Sequence, residues 1–172
     1  MQNIIIKSDN ITLRHTQIDD LEFVLKAERE PENALYVGQW SKDQHINSLS
    51  NSDLLHLIVE DSITKRPVGY IIMAGIKNPN HNIEFRRLVI SEKGNGFGRE
   101  SLKLTKELAF TKLKAHRLWL DVRYKNHRAQ NLYKSEHFKK EGILRECILL
   151  NGSYESLIIM SILKDEYKNL TI

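Results

Sequence analysis

Lys93-Gly94-Asn95-Gly96-Phe97-Gly98-Arg99 holds three of the chain's eight glycines. Glycine enters positive-φ conformations freely and, lacking Cβ, lets a ligand approach the main chain closely. A helix is expected to begin at Phe97. The unpaired N–H groups of its first turn, together with the helix dipole, favour an anion. A pyrophosphate fits such a site; taken alone, the glycines also fit a flexible surface turn before a helix. Two other phosphate loops fail on spacing. A P-loop needs Lys and Ser or Thr directly after its last glycine, where Arg99-Glu100 stands here. A dinucleotide fingerprint needs glycine or alanine at the place of Arg99.

A loop of this kind must be held between a strand and a helix, and the pattern supplies both. Ile83–Ile90 reads as a strand. Phe97–Leu113 reads as an amphipathic helix with the stripe Leu102, Thr105, Leu108, Ala109 and Leu113. Upstream, Ile4–Ile6 and Asn10–Arg14 read as strands. Thr16 is a candidate cap for a helix from Asp19 to Arg29, with Ile18, Leu21, Val24 and Leu25 on one face and Pro31 ending it. Ser41 is a candidate cap for a shorter helix containing Ile46 and Leu49. Leu54–Glu60 and Pro67–Ile76 are expected to form an antiparallel hairpin across 61–66, followed by a turn at Asn78-Pro79-Asn80. Downstream, Leu118–Tyr124 is a strand, and Asn126 caps a short helix whose Ala129, Leu132 and Tyr133 pack inward. Phe138–Leu150 and Tyr154–Leu163 close the chain as strands joined at Asn151-Gly152-Ser153. This order predicts an α/β fold with a mixed sheet, as one domain over 1–172.

The bulk composition narrows the function classes. The chain has 172 residues, 41% hydrophobic and 28% charged, with a formal charge of +4. The surplus, concentrated between Lys93 and Lys140, is a weak argument for an anionic partner. No zinc-finger spacing or aromatic RNA-binding signature accompanies it, so nucleic acid is not expected as a partner. No apolar run approaches the ~20 residues needed to span a membrane, and the start of the chain does not read as a signal peptide. The expected compartment is the cytoplasm. The lone Cys147 excludes an internal disulfide, and the seven scattered histidines show no ligand spacing, so no metal is expected.

The loop reads as a basic or amide residue, two residues, Gly, one residue, then Gly or Ala. That resembles the acetyl-CoA loop of the GNAT acetyltransferase superfamily. Ile11-Thr12-Leu13-Arg14 with Asp19-Asp20-Leu21 resembles the opening of its ribosomal-protein N-terminal acetyltransferase branch, and Pro67-Val68-Gly69-Tyr70 resembles a strand of that branch. Asn126, Ala129, Leu132-Tyr133 and Phe138 resemble its Asn-x-x-Ala-x-x-Leu-Tyr-x-x-x-Gly-Phe segment, and the spermidine acetyltransferases share much of this. The resemblance runs from about Ile11 to Met160. Two residues depart from it: Lys93 stands for the more usual Arg or Gln and keeps the charge, and His137 stands for the glycine of Gly-Phe.

The resemblance implies a mostly antiparallel mixed sheet, splayed at a central parallel strand pair and flanked by helices. It implies an enzyme that moves acetyl from acetyl-CoA, its cosubstrate, to a primary amine. Tyr133 would be the acid that protonates the departing sulfur. Glu84 would be the base, directly or through water; its competing reading is an ion pair with Arg86. Leu88, Val89 and Ile90 would pair through their backbone with the pantetheine arm. Lys93, Gly94, Asn95, Gly96, Phe97, Gly98 and Arg99 would hold the pyrophosphate. Asn126 would contact the cofactor as well as cap its helix. Lys103 and Lys134 are further candidates for phosphate. Tyr36 and Trp40 lie in the acceptor segment, and Glu28, Glu30 and Glu32 form an acidic group that would hold a cation if it faces the cleft. The favoured acceptor is a peptide or protein α-amine. The alternatives are a polyamine or other small amine, or a non-catalytic acyl-CoA-binding protein. Terminal strands in this family often pair between subunits, so a homodimer is an expected assembly.

Overall fold

A computed structural model describes residues 4–170. Eight strands form one sheet in the order β1-β2-β3-β4-β5-β6-β8-β7. They are β1 (Ile4–Lys7), β2 (Ile11–His15), β3 (Leu54–Asp61), β4 (Pro67–Ala74), β5 (Asn82–Ile90), β6 (Arg117–Arg123), β7 (Lys139–Leu150) and β8 (Ser153–Leu163). Every neighbouring pair is antiparallel except β5 and β6. The helices are α1 (Leu21–Arg29), α2 (Pro31–Ala34), α3 (Lys42–Ser50), α4 (Phe97–Glu107), α5 (His127–Ser135) and α6 (Lys164–Leu170).

Strand alternation buries both faces of the sheet. Leu13, Val59, Ile71, Met73, Phe85, Leu120 and Ile162 meet Leu102 and Leu108, on α4 and the turn that continues it. Ile58, Tyr70, Ile72 and Val89 meet Val24 and Ala27 of α1 on the other face. The Leu13-Arg14 opening has a physical purpose. Arg14 is buried and forks onto Asp20 at 2.8 and 2.9 Å while its Nε donates to Glu60 at 2.9 Å, which ties β2 to β3 and to the start of α1.

Some local expectations change and others hold. Thr16 is not a cap: its hydroxyl bonds His56 Nδ1 at 2.8 Å, and Asp20, already held by Arg14, accepts Gln17 N–H at 2.7 Å instead. A 3-10 turn over Ile18–Asp20 therefore precedes α1, and Ile18 is exposed. Pro31 ends α1 as expected and then opens α2 at a position where its missing N–H costs nothing. Ser41 does cap α3, accepting Gln44 N–H at 3.2 Å, and the helix contains Ile46 and Leu49 as expected; its buried residues are His45 and Ser48. The helix from Phe97 finishes as a π turn over Leu108–Lys112.

Two features of β5 build the site. The parallel pairing with β6 stops after Asn82↔Arg117, Ile83↔Leu118 and Glu84↔Trp119. Beyond it β5 stays with β4 as far as Gly69↔Ile90, and β6 stays with β8 as far as Arg123↔Leu157, so the sheet splays between them. A bulge also breaks the β4–β5 register, with Ile72 opposite Arg87 and Met73 opposite Phe85. Arg86 is the extra residue, so Arg86 and Arg87 both turn away from the face of Phe85 and Leu88. Gly69 is required nearby: a Cβ there would lie 2.4 Å from the Val89 carbonyl oxygen.

Candidate active site

The splay opens a cavity of about 300 Å³. β5 forms one wall through Phe85–Leu88 and β6 the other through Asp121–Arg123. Ala129 and Tyr133 of α5 close one end, and the Tyr36–Gly38 segment lies across the mouth. Past Glu84, the edge of β5 that turns from β4 has no strand partner. Its backbone groups need an acceptor or donor from elsewhere.

The glycine loop sits at the end of this edge. Gly94 and Gly96 have φ of 89° and 79°, and a Cβ at either would meet nothing within 4 Å. The loop is therefore open toward a ligand as well as left-handed. Gly96 immediately precedes α4, so the amides of Phe97, Gly98 and Arg99 form its donor-rich first turn. This cradle fits a pyrophosphate through main-chain donors. The side chains contribute less than expected. Lys93 Nζ bonds Glu32 Oε2 at 2.9 Å, which holds that exposed carboxyl below its usual range. Arg99 turns from the loop to α5, with Nη1 at 2.9 Å from Ser135 Oγ and 2.7 Å from Glu136 Oε1. Burial would push Glu136 up, but Lys106 and Arg99 hold it low, so this trio is a brace between α4 and α5.

Tyr133 reaches the cavity because of how α5 begins and ends. Asn126 caps it, its Oδ1 accepting Ala129 N–H at 3.1 Å, and Asn126 lines the cavity as well. At the other end His137 takes the left-handed conformation, φ 69°. The His137 N–H bonds Lys134 O at 3.0 Å and the Phe138 N–H bonds Tyr133 O at 3.0 Å, the paired bonds of a Schellman cap. The substituted glycine thus leaves the turn intact. Tyr133 packs beside Phe138, with ring centroids 6.0 Å apart. Burial, and then the Asp121 carboxylate, push its phenol well above the usual value.

Glu84 belongs to the last β5–β6 pair, at the apex of the splay. Its Oε2 accepts Arg86 Nη2 at 2.7 Å and Nε at 3.0 Å, the ion pair expected as its competing reading. The acidic group around Pro31 does not face the cavity. Glu28 is fully buried. Its Oε1 accepts Trp40 N–H at 3.0 Å, and its Oε2 accepts Tyr70 OH at 2.7 Å, Arg87 Nη1 at 3.0 Å and His45 Nε2 at 3.3 Å. Burial would raise Glu28, but the bonds from His45 and Tyr70 keep it ionised. His45 passes the network to His56 at 3.1 Å, and burial lowers His56 to about 3, so it stays neutral. Glu28 is a hub that fixes the segment at Trp40 and Arg87, whose guanidinium also stacks over Trp40 at 4.6 Å. Tyr36 is exposed at the cavity mouth.

Sequence reasoning missed Asp121, Arg87 and Arg123 on the cavity wall. In Leu118-Trp119-Leu120-Asp121-Val122-Arg123 the alternation alone reads as an ordinary half-exposed strand; only the register shows which residues pass the splay. Among the described residues no group of His, Cys, Asp and Glu is arranged to hold a metal, and no helix is long and apolar enough to cross a membrane.

Comparison with known proteins agrees with this geometry. The model of the acetyltransferase (GNAT) family matches residues 16–138. The chain is 27% identical over 170 residues to a spermidine N(1)-acetyltransferase of Vibrio cholerae, covering 94% of this chain and 98% of that protein. It is 26% identical to a spermidine N(1)-acetyltransferase of Escherichia coli, covering 92% and 88%. The structure of the Vibrio cholerae spermidine N-acetyltransferase in complex with CoA and spermine is similar, with a TM-score of 0.84 at 26% identity and coverage of 94% and 100%.

Proposed function

The chain belongs to the GNAT acetyltransferase family and is an N-acetyltransferase that uses acetyl-CoA; from that premise we propose that its acceptor is a polyamine of the spermidine type. The observation that carries this reading is the likeness to two spermidine acetyltransferases over more than nine-tenths of the chain. It favours the polyamine over the peptide α-amine preferred on sequence grounds.

Acetyl-CoA supplies the activated acyl carbon. The N–H groups at the start of α4 take its pyrophosphate, and the free edge of β5 at Leu88–Ile90 pairs with the pantetheine amides. Tyr133 carries a proton that burial keeps in place, and it delivers that proton to the departing sulfur. A polyamine amine with a pKa near 10.4 is neutral in only about one molecule in a few thousand at pH 7. A carboxylate must therefore take its proton before attack, and Glu84, paired with Arg86 at the apex of the splay, would do so through water.

The test is a panel of acceptors at matched concentration, read as CoA thiol released per minute. Spermidine and spermine are expected to be turned over well above short peptides with free N-termini. Turnover of peptides with none on any polyamine would overturn the reading.

A further inference from the structure

The charges on the cavity walls are unevenly matched. Three arginines line it, and each has its own carboxylate: Arg86 with Glu84 at 2.7 Å, Arg87 with Glu28 at 3.0 Å, and Arg123 with Glu155 at 3.2 Å. Asp121 lines the same cavity, yet among the described residues it accepts no hydrogen bond and joins no ion pair. Its place on β6 explains why. It stands two residues past Trp119, the last residue paired with β5, and so on the same face as Trp119, where the opposing strand has already moved away.

We propose that Asp121 is the acceptor-recognition residue: it binds the ammonium of the incoming amine in the mouth of the splay, beside Tyr133 and Glu84. Asp121 is solvent-exposed in the open cleft, so an incoming cation can reach its carboxylate, and among the described residues no side chain is bonded to it. Desolvation by the cavity walls and then the Glu84 carboxylate raise Asp121, and Arg123 and Arg86 offset this only in part. An ammonium docking there supplies the missing counter-charge and at least one charge-assisted hydrogen bond. Asp121 and Tyr133 line the same cavity, so an amine held by Asp121 sits near the proton donor. Because Arg86, Arg87 and Arg123 are already neutralised, they repel the cation less than their number suggests, and Asp121 sets the sign of the site. The inference rests on the acetyltransfer reading and not on the choice of polyamine, since any primary aliphatic amine arrives largely as ammonium at pH 7.

The test is steady-state kinetics of Asp121→Asn and Asp121→Glu with spermidine, beside calorimetry with acetyl-CoA. Asp121→Asn keeps the volume and removes the charge. It is expected to raise KM for spermidine about ten- to a hundredfold, the range for a lost charged hydrogen bond, with kcat at saturation changed severalfold at most and acetyl-CoA affinity unchanged. Asp121→Glu is expected to recover part of the KM. A KM within twofold of the parent in Asp121→Asn would overturn the proposal, as would loss of acetyl-CoA affinity in both variants. If the panel shows peptides as the acceptors, the polyamine reading fails by itself, and the same KM comparison on the best peptide decides the role of Asp121.

Discussion

Tyr133 and Asp121 occupy one cavity and face opposite demands. In the proposed reaction the phenol would keep its proton until a thiolate leaves, and burial beside an anion favours that by raising its pKa. Tyr133→Phe removes the proton and keeps the ring against Phe138. It is expected to lower kcat by about 10²–10⁴-fold, the usual contribution of a general acid, with acetyl-CoA affinity nearly kept. Full activity in a stopped assay of this variant would reduce Tyr133 to a packing residue. At this scale the sequence is legible where a motif marks the position, as at Tyr133, which lines the cavity, and the left-handed glycines Gly94 and Gly96. It is opaque where a residue acts through a distant partner. Glu28 reads as part of a solvated helix end beside Glu30 and Glu32, yet it is buried among His45, Tyr70 and Arg87, contacts separated by 17 to 59 residues in sequence.

The helices and strands were mostly readable, because amphipathic period and cap chemistry are local. Ser41 and Asn126 cap the helices they were expected to cap, and the terminal β7–β8 hairpin turns at Asn151-Gly152. The features that were not readable are departures from regular period: the Arg86 bulge, the π turn after α4 and the 3-10 turn before α1. Each depends on packing against another element. The α5 terminus gives a prediction at this scale. His137 holds φ 69° without glycine's freedom, and a left-handed L-residue costs roughly 1–2 kcal/mol. His137→Gly removes that strain but loosens the unfolded chain, for a net gain of about 0.5–1 kcal/mol. A chain of this size should melt about 1–4 °C higher. A lower melting temperature by calorimetry would show that the His137 side chain makes a compensating contact.

For the molecule as a whole, the proposed chemistry would depend on one topological event, the end of the β5–β6 pairing after Glu84↔Trp119. The opened strand edge, the glycine loop and the first turn of α4 lie in sequence along one path, which is why backbone rather than side chains would hold the cosubstrate. Lys93 and Arg99 fit this account, since both are engaged by carboxylates elsewhere. Gly96→Asp probes it without a steric clash, because a Cβ at Gly96 meets nothing within 4 Å and the φ of 79° costs only about 1–2 kcal/mol. The added carboxylate would stand where the pyrophosphate is proposed to bind. The decisive measurement is calorimetric titration of acetyl-CoA into the parent chain and into Gly96→Asp, with melting curves to confirm that both are folded. The account predicts one site per chain in the parent and no measurable binding in the variant; equal affinity in the two would contradict it.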